Sequence, residues 1–185
     1  EKKVQDSFPK MGMQYQVSQT FGNIYLSPRP TMEILRLFYQ ESTARKFWLT
    51  ELWPQTQDVR KEKIILPQLV WAQGFITQYS REKKLLLAEY HPNHWGHYNC
   101  AKEFFTESNY ILVEPFFDPD IAHVDVQNSH MTDEAAKSSI DAVFLFEALD
   151  RSTVPFNLLQ KVFNSLKPGG LCFITSLLSS GIEIK

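Results

Sequence analysis

The chain has 185 residues, room for one domain with a real core, since domains commonly hold about 100–200 residues. Its 19 basic and 21 acidic residues nearly cancel and form no block of like charge, so nothing electrostatic points to nucleic acid or a membrane surface. No signal peptide or membrane-spanning apolar run stands out, and the two cysteines, Cys100 and Cys172, give no disulfide framework, so the expected location is the reducing cytoplasm.

Residues 1–10 read as a loose leader. Met13–Ser18 and Asn23–Leu26 predict a short hairpin around Phe21-Gly22-Asn23. Thr31 caps a helix to about Gln40, with Ile34, Leu35, Leu37 and Phe38 as its apolar residues. A second helical stretch, Thr43–Leu52, ends before Pro54, and a third, Asp58–Tyr79, should kink or split at Pro67. Lys84–Glu89 is the first strand of a sheet, followed by the loop Tyr90-His91-Pro92-Asn93-His94-Trp95-Gly96-His97. A helix over about Tyr98–Glu107 leads to a second strand, Tyr110–Val113, ending at Glu114. Ile121–Val126 reads as a short third strand, and Met131–Lys137 as a helix capped by Thr132, with Asp133 and Glu134 in its first turn.

Asp141 opens an apolar run, Ala142–Phe146, too dense to be one-sided, so it predicts a central parallel strand buried on both faces. Thr153 caps and Pro155 begins a helix whose Leu158, Leu159, Val162, Phe163 and Leu166 form one apolar face. Lys167-Pro168-Gly169-Gly170 stops that helix, and Leu171–Thr175 is the next buried strand, completing a right-handed βαβ unit. The alternation predicts an α/β fold with a doubly wound, mostly parallel sheet of order 3-2-1-4-5.

The run from Ile140 to Thr175 resembles the second half of the S-adenosylmethionine-dependent methyltransferase domain. That family has an Asp before a hydrophobic strand, a Leu-Glu-His-like triplet, an amphipathic helix and Leu-Lys-Pro-Gly-Gly; here stand Leu149-Asp150-Arg151 and Leu166-Lys167-Pro168-Gly169-Gly170. Upstream, Ser18-Gln19-Thr20-Phe21-Gly22 through Ser27-Pro28-Arg29-Pro30-Thr31 is similar to the Cys-x-x-Cys-Gly and Asn-Pro-Arg-Pro-Thr of small-molecule and sugar-linked members, where a zinc knuckle precedes the catalytic domain. Ser18 and Phe21 stand where the cysteines would be and neither replaces a thiolate, so no metal is expected. The segment from Phe38-Tyr39 through Lys46-Phe47-Trp48 to Ile64 resembles that subfamily's helical lid, whose aromatics either cover cofactor and substrate or simply pack helix on sheet. The resemblance thus divides the chain into a leader with a knuckle remnant (1–30), a helical lid (31–80) and a Rossmann-like methyltransferase core (81–185) that stops after its fifth strand.

In such a sheet the ligand lies beyond the carboxyl ends of the strands, at the switch point. The resemblance implies S-adenosylmethionine as cofactor, with contacts at Glu89, Glu114, Asp125 and Glu147. An acid at Glu114 can accept from both ribose hydroxyls; the other reading is a solvated loop acid. Asp125 either receives the adenine amino group or is a capping or surface residue. Glu147 lines the methyl-donor site, while Phe146 and Leu149 pack. The family's Asp-x-Gly-x-Gly-x-Gly after strand 1 is missing: no glycine occurs from Leu87 until Gly96, Pro92 fixes φ, and Tyr90 and His91 add bulk. Tyr90 to His94 is therefore expected to fill part of the volume that a glycine loop leaves open.

His91, His94 and His97 have the spacing His-x-x-His-x-x-His and are zinc-ligand types, but Pro92 and Gly96 argue against the regular helix that would align them. His94 and His97, with His91 and Tyr98, are also candidates for a base that deprotonates a methyl acceptor. Two functions follow: methyl transfer to a small-molecule substrate, or a degenerate, non-catalytic methyltransferase fold serving as a binding or assembly module. The apolar Leu171–Thr175 edge predicts a covering segment or a second copy in a homodimer.

Overall fold

The computed structural model describes residues 4–10, 12–80, 84–114, 130–131 and 138–177. Val4–Lys10 (β1), Met13–Ser18 (β2) and Ile24–Leu26 (β3) form an antiparallel sheet in the order β1-β2-β3. β1 replaces most of the expected loose leader. Its mixed polar sequence carries no alternation, and it is ordered by the pairing itself, with Phe8 opposite Tyr15 and their rings stacked at 5.6 Å. Gly22, at φ +68, makes the turn before β3 in a backbone region that costs glycine little.

Met32–Glu41 (α1) starts where Thr31 Oγ1 accepts the N–H of Ile34 at 3.3 Å. Ser42 Oγ does the same for Arg45 at the start of Thr43–Phe47 (α2). From there the chain stays helical past Pro54, where an end was expected, and past Pro67, where a kink or split was expected, with a change of helix type before each. It runs on through a π-turn at Trp48–Leu52, then Trp53–Arg60 (α3), a second π-turn at Lys61–Ile65, and Leu66–Tyr79 (α4). Each proline lies in the first turn of an α-helical segment, directly after a π-turn. A proline lacks the N–H for the ordinary bond and its ring strikes the carbonyl four residues back. The wider π-turn moves that carbonyl away, so the chain absorbs each proline without ending.

The second sheet has five strands in the order β6-β5-β4-β7-β8, every neighbouring pair parallel: Leu86–Tyr90 (β4), Asn109–Val113 (β5), His130–Met131 (β6), Ile140–Phe146 (β7) and Leu166–Thr175 (β8). Gly96–Phe104 (α5) connects β4 to β5, and Ala148–Arg151 (α6) and Pro155–Ser165 (α7) connect β7 to β8. Ala142, Phe144 and Phe146 of β7 join the core under α3, α4 and α5, while Val143 and Leu145 pack with Leu158 and Val162 of α7. Both faces of β7 are thus buried, as its apolar density required. Asp141 ties the strand starts together: one carboxylate oxygen accepts the Leu86 N–H at 2.8 Å and the other meets Lys167 Nζ at 2.7 Å.

Several expectations change. The place beside β5 is filled by His130–Met131, and Met131 pairs with Val113 instead of opening a helix. Ile121–Val126, Asp125 with it, and residues 132–137 lie outside the described residues. Val154, not Thr153, is the residue before α7; the Thr153 carbonyl accepts from Arg29 Nη1 at 3.2 Å. Of the expected apolar face of α7, Leu158 and Val162 are buried while Phe163 is 73% exposed, because Leu159 and Phe163 sit about 100° further round the helix. Lys167–Gly170 belongs to β8 as an irregular stretch with Gly169 at φ +79, so the expected stop is a bulge where the register jumps between Ile140 and Ala142. Cys100 is buried, Cys172 exposed, and both are free thiols. Among the described residues no helix is long and apolar enough to cross a membrane.

Candidate functional site

The carboxyl ends of β4, β5 and β7 share one edge of the sheet. The residue that follows each strand, His91, Glu114 and Glu147, has φ of 50, 47 and 54 respectively. A side chain in this left-handed region costs on the order of 1 kcal/mol, so the surroundings must hold all three. Two are held through the backbone: the His91 N–H donates to the Val113 carbonyl at 2.9 Å, and the Glu147 N–H meets the Thr175 hydroxyl at 3.1 Å; Glu114 is held through its side chain. Arg151 Nη2 donates to the carbonyls of both His91 and Phe146 at 3.2 Å, binding the ends of β4 and β7 together. Arg151, standing where the resemblance has a His, is therefore a structural clamp. Asp150 accepts from Ser176 Oγ at 2.6 Å and from the Leu177 N–H at 3.0 Å.

Glu114, at the end of β5, is paired with both His91 and Lys161. His91 Nε2 lies 2.9 Å from its Oε2, and Lys161 Nζ lies 3.4 Å from both its oxygens. The hydrogen bond from His91, aided by Lys161, lowers the Glu114 pKa to about 2. Tyr90, at the end of β4, and His91 and Pro92 after it are buried.

A separate cavity of about 320 Å³ opens where β4 and β7 end, between the sheet and the helices α2 to α4. Glu89, Glu147, Asn93, His94, His97 and Phe146 line it from the sheet side, and Arg45, Trp48, Trp53, Arg60 and Gln68 from the helices. Glu89 is 2% exposed, and burial raises its pKa to about 8 against the hydrogen bond from Tyr110 and the charge of Arg151. His97 Nε2 donates to Gln68 Oε1 at 2.8 Å, which turns its bare Nδ1 toward Glu89 Oε1 at 3.9 Å. This contact is not an ion pair at neutral pH, because burial lowers the His97 pKa to about 3 and leaves Glu89 protonated. The His97 ring stacks on Phe146 at 4.0 Å.

His94 is held differently. Its Nδ1 accepts the Gly96 N–H at 3.0 Å, and its ring lies 4.6 Å from Trp53 and 5.6 Å from Trp48. Burial, and then the neighbouring His97 and arginines, push its pKa well below the usual imidazole value. The three histidines thus turn to three different partners, and among the described residues no group of His, Cys, Asp and Glu is placed to hold a metal ion. Glu89, not either imidazole, has a proton affinity matched to neutral pH in this cavity.

Gly96, the first glycine after β4, serves packing. A Cβ there would overlap the Trp53 ring, so its smallness lets α3 lie against the start of α5. Sequence reading missed Arg45, Arg60 and Gln68; the available signal was a charged residue between two aromatic pairs, Phe38-Tyr39 and Phe47-Trp48. At the other end of the chain, Ser18 Oγ accepts the Phe21 N–H at 3.4 Å and Phe21 is 78% exposed, so the knuckle position is an ordinary turn.

No protein family matches this chain, and neither the curated proteins nor the solved structures give a match.

Proposed function

We propose that this is a methyltransferase-like α/β domain that binds a small organic ligand in the cavity at the β4–β7 switch point and does not seat the adenosine of S-adenosylmethionine. In this reading the sheet is Rossmann-like, the helices from α2 to α4 are the lid, and the domain is a cytoplasmic binding module. One observation carries it: His91 Nε2 sits on Glu114 at 2.9 Å, where the resemblance calls for ribose hydroxyls. The glycine-free loop supports it, since no bare backbone is presented to a methionine moiety. These residues do not fit S-adenosylmethionine in that family's manner.

Methyl transfer is the second reading, favoured by Glu89 and Glu147 lining a cavity of small-molecule size at the switch point. Calorimetry with S-adenosylmethionine and with adenosine separates the two. No binding at millimolar concentration supports the closed seat, and His91→Gly should then gain adenosine binding. Micromolar binding by the unaltered chain would establish the second reading instead.

A further inference from the structure

Arg45 stands out among the residues that line the cavity. It is 8% exposed, yet its Nε and Nη2 have no hydrogen-bond partner. A buried cation left without acceptors is expensive, so such an arrangement calls for an anion. Among the described residues no carboxylate is bonded to these two nitrogens. Burial lowers the Arg45 pKa, and the groups that act on it beyond burial are Tyr39, a phenol whose own pKa burial raises, and the like charge of Arg151. Glu147 faces Arg151 at 3.8 Å, and Glu89 is kept protonated by its burial.

The geometry narrows the anion further. Nε–H and the adjacent Nη2–H lie side by side along one edge of the guanidinium plane, spaced to meet the two oxygens of one carboxylate. The plane itself is fixed, with the guanidinium carbon 5.0 Å from the Trp48 ring centre and 5.6 Å from that of Tyr39. A phosphate brings further oxygens that want further donors, commonly a nest of backbone N–H groups in a glycine-rich loop, and no glycine lies between β4 and Gly96. The walls are flat: Trp48, Trp53, His94 and Phe146 all face the cavity.

Resting on the reading of this cavity as a ligand site, we propose that its ligand is a small organic acid with a flat, unsaturated body, its carboxylate clamped by Nε and Nη2 of Arg45 and its body lying among Trp48, Trp53, His94 and Phe146. The probe is benzoate, with benzamide as the neutral control and inorganic phosphate as the second anion, titrated into the full chain while the Arg45 Nε–H resonance is followed by NMR. Benzoate should shift that resonance saturably, benzamide should not, and phosphate should bind more weakly. Arg45→Lys, which keeps the charge and loses the fork, should weaken benzoate tenfold or more. The proposal is overturned by no saturable shift, by an equal response to benzamide, by phosphate binding tighter than benzoate, or by unchanged benzoate affinity in Arg45→Lys. The titration of the unaltered chain stands even if that variant does not fold. Adenosine has no carboxylate, so its binding would sink the closed-seat reading while leaving this one intact.

Discussion

The Tyr110 hydroxyl on β5 donates to Oε2 of Glu89 on β4 at 3.2 Å, and that one bond is outweighed by the burial of the carboxyl. With the Glu89 pKa raised to about 8, its contribution to stability is full below about pH 4.5 and is lost as pH rises through 8, since the unfolded chain ionises first. Glu89→Gln keeps an acceptor for Tyr110 and cannot ionise. Urea unfolding from pH 5 to 9 should show the wild type losing ground to the variant, by on the order of 3 kcal/mol at the alkaline end. Parallel curves would mean that Glu89 is already ionised in the fold.

Glu114 shows the opposite sign. Its pKa is lowered to about 2, so its contribution is present above about pH 4.5 and disappears as pH falls through 2. The side chain is 29% exposed, and with solvent screening the stake is about 1 kcal/mol. Glu114→Gln should flatten the acid limb of the stability profile. His91→Ala should return the Glu114 pKa toward 4.5, read by carboxyl carbon NMR; a pKa that stays near 2 would assign the shift to Lys161 alone.

Gly96→Ala should destabilise the fold by about 1–3 kcal/mol, because the new methyl group meets the Trp53 ring. Trp53→Phe removes the overlapping part of that ring. Thermal unfolding of the double variant should therefore show a smaller loss than the two single losses added together. Simple additivity would place the cost of Gly96→Ala elsewhere.

Asp141 accepts the Leu86 N–H and meets Lys167, so Asp141→Ala leaves a strand-start donor without its acceptor. A loss of about 1–3 kcal/mol is expected, with faster hydrogen exchange at the Leu86 amide. Asp141→Asn retains an acceptor and should recover part of both. Unaltered exchange at Leu86 in Asp141→Ala would rule out this role.

The sequence shows some of this directly and hides the rest. Ala142–Phe146 is legible as a two-sided strand because no polar residue interrupts it, and strand ends then place Glu89 and Glu147 at one edge. β1 is illegible because its order comes from pairing with β2 and not from its own pattern. Pro54 and Pro67 mislead, because each signals a break that a π-turn absorbs. The His91–Glu114 pair spans 23 residues and depends on two strands lying side by side, which neither residue announces alone. Arg45 looks like a solvated helical charge until the packing of α2 over the sheet buries it.

The left-handed backbone at His91 makes its pairing with Glu114 easy to remove. Most substitutions that remove a paired side chain lose stability. His91→Gly is different, because glycine occupies φ near 50 without penalty and relieves strain of about 1 kcal/mol, offsetting part of the lost bond and leaving Lys161 as a partner of Glu114. A single exchange at this backbone position thus trades a paired side chain for conformational ease, at a smaller net cost than loss of the pair alone would bring.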